Sequence, residues 1–279
     1  MWLTLGAWTP RGSADSLPDF VEHWEFAWNV DEDQGPNFIL DPIVPLYRDP
    51  SDDRVAFVEP RLSLANSEWL LNLGTGVRQL VLNRSWLLGA NMFYDYETQY
   101  SHYRLGWGIE ALSSYAEFRS NYYLALSQER LVEEVIGVSQ RFQEAVNGYD
   151  FEIGGPIPYY SRLKLFGGFN WWNFEKFDNR YGWTLRAEYK PVPFVVIDGT
   201  VQDHTKSNVD WGLKVAFRIP FGGNTAPEKM RPPMAFDAAI VPESDASEFL
   251  WSLVERHHEI VVEQRLTTGS VTVEVARGT

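Results

Sequence analysis

From about Trp24 to Phe221, nearly every segment alternates apolar residues with polar or small ones. Trp69, Leu71, Leu73 and Val77 share one parity; Asn72, Gly74, Gly76 and Arg78 share the other. Later, Val209, Trp211, Leu213, Val215, Phe217 and Ile219 oppose Asp210, Gly212, Lys214, Ala216 and Arg218. Side chains of a strand point to opposite faces with period two, so each stretch has one apolar and one hydrated face. A soluble sandwich alternates too, but its solvent faces seldom place Gly beside charge while the other face carries so much Trp and Tyr. Apolar-out, polar-in strands with aromatic ends are what a transmembrane β-barrel requires.

Composition narrows the choice. At 279 residues the chain is an ordinary length for one barrel. Aromatics reach 15% with 12 Trp, and Trp and Tyr favour the membrane–water boundary. Mean hydropathy lies slightly below zero and no 18-residue apolar run occurs, which excludes a transmembrane helix. A barrel is not excluded, because alternation averages hydropathy towards neutral. A net charge of -14 argues against a nucleic-acid partner. The lack of Cys fits export through an oxidising compartment, and equally fits many cytosolic proteins. Residues 1–10 have neither a basic n-region nor a long apolar core, so an export leader is expected upstream or already removed.

Turn-forming clusters divide the chain into strands near residues 20–30, 36–47, 54–64, 68–81, 85–97, 102–113, 115–127, 147–156, 161–174, 180–190, 193–203 and 208–219. The second carries Pro42 and Pro45, which remove ladder donors. One set of connections is tight (Asn83–Arg84, Ser113–Ser114, Lys190–Pro191). The other is longer and polar (97–101, 127–147, 174–179, 203–207). Outer-membrane barrels have short periplasmic turns and longer outside loops, so a twelve-stranded antiparallel barrel returns both its ends to the periplasm.

Parity assigns the faces. Trp86, Leu88, Met92, Tyr94, Tyr103, Leu105, Trp107, Ile109, Tyr122, Leu165, Phe169, Tyr181, Trp183 and Leu185 are expected against lipid. Arg78, Arg104, Glu110, Glu117, Arg119, Glu152, Arg162, Lys164, Arg186, Glu188, Lys214 and Arg218 are expected in the lumen, with Asp95, Asp150 and Asp198. Both signs are mixed there, which predicts ion-pair ladders between strands more than a selectivity ring. Moving such an Arg or Lys to the lipid face at the midplane costs roughly 2–4 kcal/mol, and a one-residue slip exposes the whole set.

The runs Leu73-Gly-Thr-Gly-Val-Arg78, Trp86-Leu-Leu-Gly-Ala-Asn-Met-Phe-Tyr-Asp-Tyr96 and Tyr103-Arg-Leu-Gly-Trp-Gly-Ile-Glu110 resemble the barrel of intimin and invasin, the inverse autotransporters. The likeness continues through Asn147-Gly-Tyr-Asp150, Lys190-Pro-Val-Pro193, Leu253-Val-Glu-Arg256 and Glu259-Ile-Val-Val-Glu263. Asp210, Gly212, Val215 and Phe217 look like the terminal-strand signal read by the barrel-assembly machinery. The resemblance implies a bacterial outer-membrane translocator without enzymatic activity or cofactor, which secretes and displays its own C-terminal passenger. Periplasmic chaperones, the assembly machinery and outer-membrane lipid are the implied partners; a receptor would be met only through a passenger. On this reading residues 1–18 are a periplasmic lead, 19–221 the barrel and 222–279 a pore-threading linker. No passenger domain follows Thr279 and no peptidoglycan-binding module precedes the barrel in these letters, so the chain reads as a translocator fragment or as a barrel relative without cargo.

The linker reading can be made physical. Gly222, Gly223, Pro227, Pro232, Pro233 and Pro242 cannot easily join a sheet. Asp245-Ala-Ser-Glu248 suggests a capping box opening a short helix with Phe249, Leu250, Leu253 and Val254. Glu255, Arg256, Ile260, Val261 and Glu263 extend the pore segment. Roughly ten extended residues cross a hydrocarbon layer of about 30 Å, so residues 257–279 suffice. Ser270–Val275 alternates and reads either as a first passenger strand or as a frayed tail. Loop 128–146 spaces Leu131, Val132, Val135, Ile136, Val138 and Phe142 in a partly helical pattern, which predicts a helix capping the barrel mouth. Gly74-x-Gly76 lies mid-strand and is read as room for a large lumenal neighbour. His23, His102, His204, His257 and His258 lack metal-ligand spacing. A passive porin or oligosaccharide channel with its tail in the periplasm, and a soluble all-β binding protein, are the competing readings.

Overall fold

A computed structural model of the chain describes residues 23–31, 35–65, 68–206, 208–220, 236–237, 240, 245–268 and 271–274. The expected periplasmic lead and the Gly/Pro stretch after Phe221 lie outside the described residues.

Twelve antiparallel strands close into a barrel: β1 (His23–Asp31), β2 (Gly35–Arg48), β3 (Arg54–Ala65), β4 (Glu68–Val81), β5 (Trp86–Glu97), β6 (Tyr103–Leu112), β7 (Glu117–Ala125), β10 (Asn147–Ile157), β11 (Tyr160–Asn173), β12 (Arg180–Val192), β13 (Val195–His204) and β14 (Asp210–Pro220). Each pairs with its barrel neighbour, and β1 zips to β14 from His23↔Pro220 to Asp31↔Gly212. Closure leaves no free edge in the bilayer. The proline-bearing β2 pairs on both sides and absorbs its prolines partly through a register shift between Pro45 and Tyr47. The turn expected at Lys190–Pro191 falls later, because β12 continues to Val192 and Val192 pairs with Val195.

Side-chain exposure follows the alternation. Trp28, Leu73, Trp107, Trp183, Leu185 and Trp211 stand on the outer surface, Leu185 at 57%, whereas Asp95 and Arg104 inside are at 0%. A thick apolar belt therefore meets lipid, with ring pairs such as Trp107–Tyr122 (6.2 Å) bridging strands. Inside, size alternates around the wall. Gly76 pairs with Phe57, Gly74 with Phe93, Phe93 with Gly106, and Gly89 with both Arg78 and Glu110. A Cβ on Gly74 or Gly76 would strike the ring of Phe93 or Phe57. These glycines thus leave room for large lumenal side chains.

Two expectations are corrected. Residues 128–146 form no helix; they contain β8 (Arg130–Val135) and β9 (Ser139–Ala145), a hairpin that joins β15 (Val262–Thr268) and β16 (Val271–Glu274) in a second sheet ordered β16-β15-β9-β8. The apolar spacing of the loop suggests a helix, but Gly137 at φ 73° makes the reversal of a hairpin, which a helix would not contain. The helix expected through Val254 is a single 3-10 turn over Ala246–Phe249. Asp245 caps it by accepting the Ser247 N–H at 2.9 Å. One more turn bond follows, from the Ser252 N–H to the Phe249 carbonyl at 3.1 Å; further on, the Val254 and His257 N–H groups donate to wall side chains.

Candidate functional site: the lumen and its occupant

Barrel charges assemble into two constellations. Along one wall a chain of alternating sign runs from β7 through β14 and across the closure to β1. Glu117 pairs with Arg119 and Lys164 (2.5 Å to Lys164), and Glu152 joins Arg119 (3.2 Å) to Arg186 (2.7 Å). Arg186 reaches Asp198 at 3.2 Å, Lys214 bridges Asp198 (3.1 Å) and Glu25 (3.6 Å), and Arg218 holds Glu25 at 2.6 Å. Glu188 flanks this belt beside Lys190 (3.1 Å), and Arg162 donates to the Pro191 carbonyl at 2.5 Å. Glu25, Glu117, Glu152 and Asp198 each hold a cation from another strand, which offsets the cost of withdrawing these charges from water.

The opposite wall, β3 to β7, faces residues 245–261. Arg78 pairs with Glu110 at 2.6 Å and donates to the Leu250 carbonyl (3.1 Å) and the Ser252 carbonyl (2.5 Å). The Glu59 carboxylate accepts the Val254 N–H at 3.1 Å. Arg256 forms a fork onto Asp95, 2.8 Å on each arm, and Arg104 shares that carboxylate at 2.6 Å. The Arg256 guanidinium lies over the ring of Phe93 (4.4 Å), in space that Gly106 leaves open; a Cβ there would approach within 2.6 Å of it. Arg104 also donates to the His257 carbonyl, and the Tyr123 hydroxyl accepts the His257 N–H at 2.8 Å. Glu255 faces the other wall, within electrostatic reach of Lys214, Arg186 and Arg119.

Apolar packing secures the two ends. Near the tight turns, Ile43, Val55, Phe57, Leu80, Leu87, Leu112 and Phe93 cluster with Ala246, Phe249, Leu250, Leu253 and Val254. The turn at Leu82–Arg84 has three consecutive residues with positive φ; Arg84 accepts the Ala246 N–H on its carbonyl (2.8 Å) and pairs with Asp245 at 2.6 Å. At the loop end Val261 packs with Tyr123, Val146, Trp172 and Phe174. Ile260 is half-buried beside it. Of the residues expected in the pore, Phe249, Leu253, Val254, Arg256 and Val261 touch the inner side of the wall. Glu263 lies beyond the lumen in β15, where its carboxylate accepts the backbone N–H groups of Glu175, Lys176 and Phe177 at 2.9–3.1 Å.

Sequence reasoning missed Glu59, Tyr123 and the lumenal rings Phe57, Phe93 and Trp172. They share the parity of the lumenal charges, and that parity was the available signal. On β14, Asp210 is buried while Phe217 is exposed, with Gly212 and Val215 half-buried between them.

A closed twelve-stranded cylinder with an apolar outer belt and an ionic interior is an outer-membrane β-barrel. The model of the inverse autotransporter β-domain matches residues 13–238, so the chain belongs to the inverse autotransporter β-domain family. The inverse autotransporter adhesin YeeJ of Escherichia coli (strain K12) is 24% identical over 271 residues, which are 92% of this chain and 11% of that protein. A putative attaching and effacing protein homolog of the same organism is 26% identical over 136 residues, 48% of this chain and 44% of the relative. The chain thus spans less than half the length of these relatives. Among solved structures, one from a study of the in-meso crystallization of membrane proteins superposes at TM-score 0.69 and 21% identity, covering 87% of this chain and 99% of that one. An outer membrane channel from Pseudomonas putida F1 superposes at 0.50 and 9% identity, covering 76% and 100%. These likenesses carry the fold alone. The bacterial outer membrane is the compartment of this chain.

Proposed function

We propose that the chain is a translocator and anchor whose lumen conducts its own C-terminal segment and then retains it, displaying whatever follows at the cell surface. The barrel itself does no covalent chemistry. The observation that carries this reading is the series of contacts from Asp245 at the tight-turn end, through Arg256 on Asp95, to Glu263 at the loop end. A tail folded in the periplasm would have no use for a lumenal wall whose arginines donate to its carbonyls. On this reading the linker threads the pore, the β14 residues Asp210, Gly212, Val215 and Phe217 are presented to the assembly machinery, and chaperones escort the unfolded chain. The adhesive activity of relatives such as YeeJ would belong to a passenger.

The test is an epitope tag placed after Thr279 in cells carrying the chain with an export signal. Added protease should remove the tag from intact cells while the barrel stays protected. A tag that survives until the outer membrane is permeabilised would instead favour a porin with a periplasmic tail.

A further inference from the structure

The β8–β9 hairpin is an insertion that barrel closure does not require. β7 pairs directly with β10, Tyr123↔Gly148 to Glu117↔Gly154, and the chain leaves the wall between them only to build the hairpin. A two-stranded hairpin is marginal in water by itself. Here it is completed by the linker's continuation: β9 pairs with β15 over six residues, from Ala145↔Val262 to Gln140↔Thr267. The ladder begins at the barrel rim, where Val146 donates to the Val261 carbonyl at 3.1 Å.

Three separate loops then grip the same strand pair. Glu129 forms a two-pronged bridge to Arg265 (2.7 and 2.9 Å), and Phe142 lies under that guanidinium at 4.0 Å. Lys176 of the β11–β12 loop ties Glu129 to Glu144 (2.5 and 2.6 Å), while the adjacent backbone holds Glu263. Lys206 of the β13–β14 loop pairs with Glu274 on β16. A chain merely passing out of a pore needs none of these contacts.

We propose that the β9 edge is a docking template for this chain's own exported segment: residues 262–267 add to it as a strand, β16 follows, and the register so fixed holds the export product outside the pore. This rests on the translocator reading. Strand addition to a preformed edge provides backbone hydrogen bonds whatever the side chains, and the Glu129–Arg265 and Glu263 contacts supply the register. Directionality comes from the hairpin's position: the edge exists only on the loop side, so a segment that slides back must surrender the whole ladder.

The chain has no Cys, which makes a disulfide test clean. Gln143 and Gln264 are register partners, and antiparallel partners lie about 4.5–5.5 Å apart at Cα, within disulfide range. In the tagged full chain, Q143C/Q264C should cross-link at the cell surface, whereas Q143C/T267C should not. Replacing residues 130–145 by a short Gly/Ser connection should leave a heat-modifiable barrel in the membrane but slow tag exposure severalfold and open Arg265 to trypsin. Failure of the first pair to cross-link overturns the template. So does a hairpin-less barrel that exposes its tag at the unaltered rate with Arg265 still protected. Should that barrel not insert, the cysteine pairs decide alone. Failure of the unaltered chain to expose its tag would count against the translocator reading itself, a separate readout.

Discussion

At the residue scale the decisive group is Asp95. It sits at the junction of two arginines, Arg104 from the wall and Arg256 from the occupant, and takes a further hydrogen bond from Asn72 at 2.7 Å. Removing one partner of a buried ion pair costs roughly 3–5 kcal/mol because a charge is left uncompensated. The two ends of this pair are not equivalent. Asp95→Ala leaves two guanidiniums facing each other without a counter-charge, whereas Arg256→Ala leaves Asp95 still paired with Arg104. Asp95→Ala should therefore lower the thermal unfolding midpoint in detergent more than Arg256→Ala, with the double variant D95A/R256A recovering part of the loss. Equal losses, or simple additivity, would contradict this assignment. The runs that resemble intimin and invasin bear directly on the occupant: Arg78, Asp95, Arg104 and Gly106 each touch it, and Glu110 braces Arg78. That they should be lumenal was legible from parity. That they converge on residues 250–258 was not, because the pairing partners lie more than 130 positions away in the chain.

At the scale of elements, all twelve wall strands were readable, since each combined period-two alternation with turn-forming boundaries. The hairpin at the mouth was not. Leu131, Val132, Val135, Ile136, Val138 and Phe142 satisfy a helical spacing as well as a strand pair, and what decides between them is β15, which lies far along the sequence. The polar clasp of that dock makes it pH-sensitive. Hydrogen bonds from Arg265 and Lys176, with their charges, hold the Glu129 carboxyl at about 2, down from the ordinary 4.5. A carboxylate depressed on docking stabilises the docked state fully above the undocked value and loses that contribution as pH falls through the docked one. Lys176 is not on β15 and holds Glu129 with or without it, so only the Arg265 share of the lowering is linked to docking. The dock should thus be unchanged from neutrality through the ordinary carboxylate range and weaken only as pH falls from below 4.5 towards 2. Amide hydrogen exchange across Val262–Thr267, corrected for its intrinsic pH dependence, reads this directly. Glu129→Gln should remove most of the acid sensitivity while weakening the dock at pH 7, and an unchanged acid profile in that variant would exclude Glu129 as its source.

For the whole molecule, the apolar clusters inside the wall are completed by residues 246–261. The aromatic and aliphatic cluster at the tight-turn end draws Ala246, Phe249, Leu250, Leu253 and Val254 from outside the wall, and the loop-end cluster draws Val261. Removal of residues 237–279 would strip apolar partners from Phe57 and Leu112 and release Arg78 and Glu59 from their backbone contacts. The lumen would then fill with water. In planar bilayers the intact chain should be nearly silent, and the truncated one should show a large, steady conductance. Because the belt from Glu117 to Arg218 alternates in sign around the wall, the opened pore should discriminate only weakly between cations and anions. A barrel built as a passive channel would conduct equally with and without the segment. Two equal conductances, with both proteins shown to be folded by heat-modifiability, would remove residues 246–261 from the conduction path and with them the occupied-lumen mechanism.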